Sequence, residues 1–211
     1  MDSARLIDLL STELPPVRRL RPPGVRALGW LSVTGLFLGL IIWANGLRPD
    51  FDTMAAQPRF LGETAAILLT GITAALAAFK LSIPGAAPAL RYLPLLPLAA
   101  WLLLIGKGCL DDANAGTLYW GISTHCLQQI GWTGLVSGVP MLLMLRRAAP
   151  FERLPLALLA GLASASLAAF AMSLYHSYDT SLIVLVSHGL IMALLTLGFG
   201  LIGPAVLRRR I

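Results

Sequence analysis

The chain has 211 residues, of which 57% are hydrophobic and only 12% charged, with a mean hydropathy of +0.78. A soluble domain carries about twice that share of charge, so an integral membrane protein is expected. The net charge of +6 does not point to nucleic acid, because the 16 Lys and Arg stand at the ends of apolar runs with no aromatic-rich basic surface. Cys109 and Cys126, the two cysteines, are too few for a disulfide framework.

Residues 1–26 are the one sizeable segment expected in water. No cleavable signal peptide is expected, since the first apolar run starts only after them and no small-x-small site follows. Leu6, Leu10 and Leu14 recur at four-residue spacing with Ile7 beside them, while Arg5, Asp8 and Thr12 fall opposite. That spacing predicts a short amphipathic helix, capped by Asp2 or Ser3 and stopped by Pro15-Pro16. The stretch from Pro15 to Pro23, with Arg18, Arg19 and Arg21, should be extended. A helix of about three turns is unstable alone in water, so its apolar stripe needs a surface. The bilayer, the chain's own loops or a groove on a partner can supply it. Five arginines (5, 18, 19, 21 and 26) favour anionic lipid, but Asp8, Glu13 and the lack of aromatics favour a partner.

Six runs are long enough to cross about 30 Å of hydrocarbon: roughly 27–46, 61–80, 90–107, 124–145, 154–175 and 181–207. The expected fold is an all-α integral membrane protein, a six-transmembrane-helix bundle preceded by the amphipathic helix. Pro94 and Pro97 fall in the third run, and a kink is expected at Pro97. With the N-terminus inside, the inner side holds Arg5, 18, 19, 21 and 26, Lys80, and Arg91, 146, 147, 153, 208, 209 and 210. Only Arg48, Arg59 and Lys107 remain outside, so both termini are expected in the cytoplasm. Gly35-x-x-x-Gly39, Gly134-x-x-x-Gly138 and the Ala160, Gly161, Ser164, Ala168 row suit close packing within the bundle, with a homodimer as the alternative. The five tryptophans lie near span ends, as interfacial anchors do.

The spans are nearly bare of ionisable groups, with only His188 well inside one, and no nucleophile–base pair or phosphate loop is visible. Transport and catalysis are therefore disfavoured. Polar residues gather instead on the outer face, where His125, Cys126, His176 and Asp179 would converge if the last three spans are neighbours. Imidazole and thiolate suit zinc or another soft divalent metal, and a thiol beside a histidine suits an oxidant sensor. A purely structural role for these residues is the competing reading.

Several stretches together resemble the NrsF-type six-span membrane anti-sigma factors. They are Leu6 to Leu10, Leu14-Pro15-Pro16-Val17-Arg18-Arg19-Leu20-Arg21-Pro22-Pro23, Gly46 to Asp50, Leu69-Thr70-Gly71, Ala77 to Lys80, Ile83-Pro84-Gly85, Thr124-His125-Cys126, His176 and His188-Gly189. The resemblance implies a bacterial inner-membrane regulator, not an enzyme, that holds an extracytoplasmic-function sigma factor away from RNA polymerase core. It implies that Leu6, Ile7, Leu10, Leu14, Pro15, Pro16, Arg18 and Arg19 contact the sigma factor. It also implies release by an outer-side heavy metal or oxidant acting at His125, Cys126 and His176, with no resident cofactor. The family carries a second His-Cys in the last outer turn, where this chain has His176-Ser177. Serine neither forms a disulfide nor binds soft metals well. Cys109 can stand in only if its Cα lies within about 7 Å of that of Cys126. A small permease or channel, and a structural membrane subunit, are the rival functions.

Overall fold

The computed structural model describes residues 3–12, 20–177 and 180–208. Among them the chain is all-α, without strands: α1 (Ser3–Thr12), α2 (Pro23–Asn45), α3 (Phe51–Ala55), α4 (Pro58–Leu81), a short 3₁₀ helix (Pro88–Tyr92), α5 (Leu95–Asn114), α6 (Thr124–Arg146), α7 (Arg153–Tyr175) and α8 (Ser181–Val206). Five stretches are long and apolar enough to cross a membrane: α2, α4, the 3₁₀ helix with α5, α7 and α8. The remaining long helix, α6, is 23 residues long, as α2 and α7 are. It is less apolar because His125, Gln128, Gln129, Thr133 and Ser137 lie along it.

The long helices alternate in direction, so their ends gather at two poles. Arg26, Ser82 and Met144 meet at one pole, and Arg48, Arg59, Asp112, His176 and Ser181 at the other. At the centre stands α7, packed against α2, α4, α6 and α8, with 72% of its apolar window buried. Its composition explains the place. Ala157, Ala160, Gly161, Ala163, Ala165, Ser166 and Ala169 put small side chains on every face, so neighbouring backbones approach closely. A Cβ on Gly161 would stand 2.8 Å from Thr196 Cα, and one on Gly71 would stand 2.7 Å from Leu167. Buried hydroxyls bond back along their own helices, as Thr70 does to the Ala66 carbonyl (2.8 Å) and Ser137 to that of Thr133 (2.8 Å).

Four expectations change. The third span begins with the 3₁₀ helix, and α5 starts at Leu95 with Pro94 as its N-cap. Pro97 then sits in the first turn, where its missing N–H would have had no partner, so it does not kink the helix. The prolines within helices are Pro140 in α6 and Pro204 in α8. Trp30 and Trp101 are buried in the core, not at an interface, whereas Trp43, Trp120 and Trp132 are exposed. Of the glycine pairs, Gly134 and Gly138 pack against α7 and α8, but Gly35 and Gly39 face open space. The last change is at the N-terminus of the bundle, where α2 begins at Pro23. Arg26 therefore stands inside a helix and is buried.

Candidate functional site: the polar pole of the bundle

A cavity of about 260 Å³ opens at the pole formed by the ends of α4, α5, α6, α7 and α8. Its apolar wall includes Ile67, Trp101, Ile105 and Met172, and its polar wall includes Arg48, Arg59, Glu63, Asp112, Cys126, His176 and His188.

Local sequence sets each polar group in place. Gly46 adopts φ +77° and ψ 161°, an extended positive-φ conformation that is essentially reserved for glycine. The chain then folds back so that the Arg48 amide donates to the Leu174 carbonyl (3.1 Å). The Arg48 guanidinium lies over Phe60 and donates both Nε and Nη2 to Asp50 (2.6 and 2.8 Å). That fork holds the Asp50 carboxyl below the usual carboxylate range. On α4, Arg59 donates to Glu63 one turn on (2.8 Å), stands 3.9 Å from Asp112 on α5, and donates to the Ser181 hydroxyl on α8. Asp112 also accepts the Ser181 backbone amide (2.9 Å), which places a carboxylate at the N-terminus of α8. One network thus joins three helices. A Cβ on Gly108 would collide with the Arg59 guanidinium, so glycine there makes room for it.

Ser123 caps α6 by accepting the Cys126 amide (3.2 Å), and its own amide donates to Ser187 on α8 (2.9 Å). Cys126 is therefore fixed in the first turn of α6, buried, with its residue lining the cavity. His125, next to it, is exposed, and its ring meets that of His176 edge to face at 4.8 Å between centroids. Burial, then the neighbouring His125 and Arg48, push the His176 imidazole below the ordinary histidine range. Neutral His176 belongs to the folded state. Stability at this pole is full above about pH 6.5, the unfolded histidine value, and falls as pH drops toward the depressed folded value. Thermal unfolding in detergent between pH 8 and pH 5 should show that loss, and His176→Gln should lessen it.

The structure thus brings together His125, Cys126 and His176, three of the residues singled out from sequence. Cys109 is half-buried, unpaired like Cys126, and is not part of the cavity wall. Among the described residues no three His, Cys, Asp or Glu side chains stand together as a metal-ligand set. A soft metal would have to draw its donors together. Asp179 lies outside the described residues, as do Leu14, Pro15, Pro16, Arg18, Arg19 and the side chains of Leu6 and Leu10. On α1 itself the Ile7 side chain is 67% exposed. The sequence alone assigns Arg59 no role beyond its charge and its side of the membrane. The Arg59/Glu63 spacing of four was the signal that could have found the network.

The family described as NrsF, negative regulator of sigma F, matches residues 10–208. No curated protein and no solved structure matches the chain.

Proposed function

Because the chain belongs to the NrsF family, the negative regulators of sigma F, we propose that it is an anti-sigma factor of the bacterial inner membrane. It sequesters an extracytoplasmic-function sigma factor through residues 1–26. In this reading α6 is a sixth crossing helix, both termini are cytoplasmic, and the polar pole faces outward. The observation that supports it most is the family match along nearly the whole chain. Ile7, exposed on α1, agrees with it, because the rest of the chain does not cover this apolar side chain and a partner's groove can.

Release follows a thiol-directed stimulus, a heavy metal or an oxidant, read at Cys126 with His125 and His176. Cys126 lies where α6 begins, so a change at its sulfur alters how α6 packs against α7 and α8. Transcription from a sigma-dependent promoter tests this in cells treated with cadmium(II) or with diamide. Cys126→Ala should keep basal repression and lose the response to whichever agent acts on the wild type. An unaltered response would move sensing elsewhere. The open Gly35 and Gly39 face is the surface through which two copies would pair.

A further inference from the structure

The family pattern accounts for the two ends of this molecule, the N-terminal segment and the polar pole, but not for what lies between. Two buried side chains of α2 bridge that gap. Arg26, 7% exposed, donates from Nη2 to the Met144 carbonyl near the end of α6 (2.6 Å). From Nη1 it donates to the hydroxyl of Ser82, the C-cap of α4 (3.2 Å). Its guanidinium also lies 5.2 Å from the centroid of the Phe79 ring. The cation caps the C-terminal end of α6 directly, at a last-turn carbonyl with no partner in its own helix, and that of α4 through the Ser82 hydroxyl, which itself donates to the Phe79 carbonyl (2.7 Å); at both ends the helix dipole favours positive charge. One turn further along α2, Trp30 Nε1 donates to the Ser137 carbonyl (3.0 Å). That carbonyl lies three residues before Pro140, in the turn of α6 that proline weakens by removing an amide donor.

Both contacts are made to backbone oxygens of α6, so they follow the helix itself and not a rotatable side chain. The other end of α6 carries Cys126 in the cavity wall, roughly 27 Å away at 1.5 Å per residue. Arg26 and Trp30 lie in the first turns of α2, directly after the N-terminal segment.

We propose that Arg26 and Trp30 are positioning residues, a joint through which the position of α6 sets that of the N-terminal segment. This rests on the reading that residues 1–26 bind the sigma factor, and it gives that binding its regulation. Arg26 then belongs to the joint and not to the basic cluster that meets lipid or partner.

The test moves α6 without touching α2. A Cβ at Gly138 would meet Phe199 and, at 2.8 Å, Ser164 Oγ; one at Gly134 would meet Leu195 at 2.6 Å. Gly138→Ala and Gly134→Ala should therefore each press α6 away from α7 and α8. In a full-length chain carrying Cys109→Ser and Cys126→Ser, spin labels at Leu20→Cys and Phe151→Cys, both exposed, report where the segment emerges. With the joint intact in lipid nanodiscs, each glycine substitution should shift the label distance by about 2 Å. Adding Trp30→Phe with Arg26→Gln should remove the shift. Trp30→Phe alone, which keeps an aromatic ring but loses the Nε1–H donor, should reduce it, and serves if the double variant fails to insert. Equal shifts in both backgrounds, or none in either, would overturn the joint. Sigma affinity of the same chains should fall about tenfold only where the distance shifts. Shifts that depend on the joint, with sigma held by no chain, would leave the joint standing and remove the sigma-binding role of the segment.

Discussion

Leu10→Asp should abolish sigma capture while leaving the protein in the membrane. Leu10 is the middle of the Leu6, Leu10, Leu14 stripe, and α1 covers it in a ten-residue helix. A leucine buried in a partner's groove contributes about 1.5–3 kcal/mol. A carboxylate forced into the same groove without a partner adds about 2 kcal/mol more, so affinity should drop by roughly 100-fold or beyond. Membrane insertion depends on the later helices and should not change. Capture by purified protein in detergent, beside a membrane-fraction blot, measures both. Repression persisting in Leu10→Asp cells would mean that the stripe serves the bilayer and not the sigma factor.

Arg59→Met should give the largest loss of stability at the polar pole. Arg59 is the cation between Glu63 and Asp112, whose side chains are only 17% and 18% exposed. Without it two carboxylates share one partly dry site, and the tie from α4 to the Ser181 hydroxyl on α8 is gone. Breaking a buried pair costs about 3–5 kcal/mol. Arg59 is itself 35% exposed, so about 2–3 kcal/mol is the expected effect. That corresponds to a fall in Tm of roughly 5–10 °C for a chain of this size. Glu63→Gln added to Arg59→Met should recover part of the loss, because it removes one of the uncompensated charges. Gly108→Ala, which intrudes on the guanidinium, should act in the same direction with a smaller effect. A double variant no more stable than Arg59→Met would show that the helices are held by packing and not by this network.

The membrane fold was legible because hydrocarbon thickness and backbone satisfaction leave few ways to arrange apolar runs of this length. The helix that remains less apolar, α6, shows where that logic thins. Its glycines are turned toward α7 and α8 and its Thr133 and Ser137 are buried, and a hydropathy profile cannot see a face. The supposed kink at Pro97 shows the limit of reading a proline without knowing where its helix starts. In the first turn it is harmless, whereas Pro140, deep in α6, removes an amide donor from the helix. The residues His125, Cys126 and His176 were found as a polar group at one level. Their neighbours Arg59, Asp112, Ser181 and His188 come from α4, α5 and α8, and only the packing of three helices brings them together. Arg26 was read as one basic residue among five. Nothing in its local sequence distinguishes an arginine that caps two helices from one that meets lipid.

The most direct test of the central claim is to compare what the full chain and a variant lacking residues 1–22, which keeps α2 and its Arg26 whole, retain from the host's lysate. Both are solubilised in the same detergent, and the bound proteins are identified by mass spectrometry. The account predicts an extracytoplasmic-function sigma factor held by the full chain and absent from the shortened one. A sigma factor held equally by both, or by neither, would contradict it.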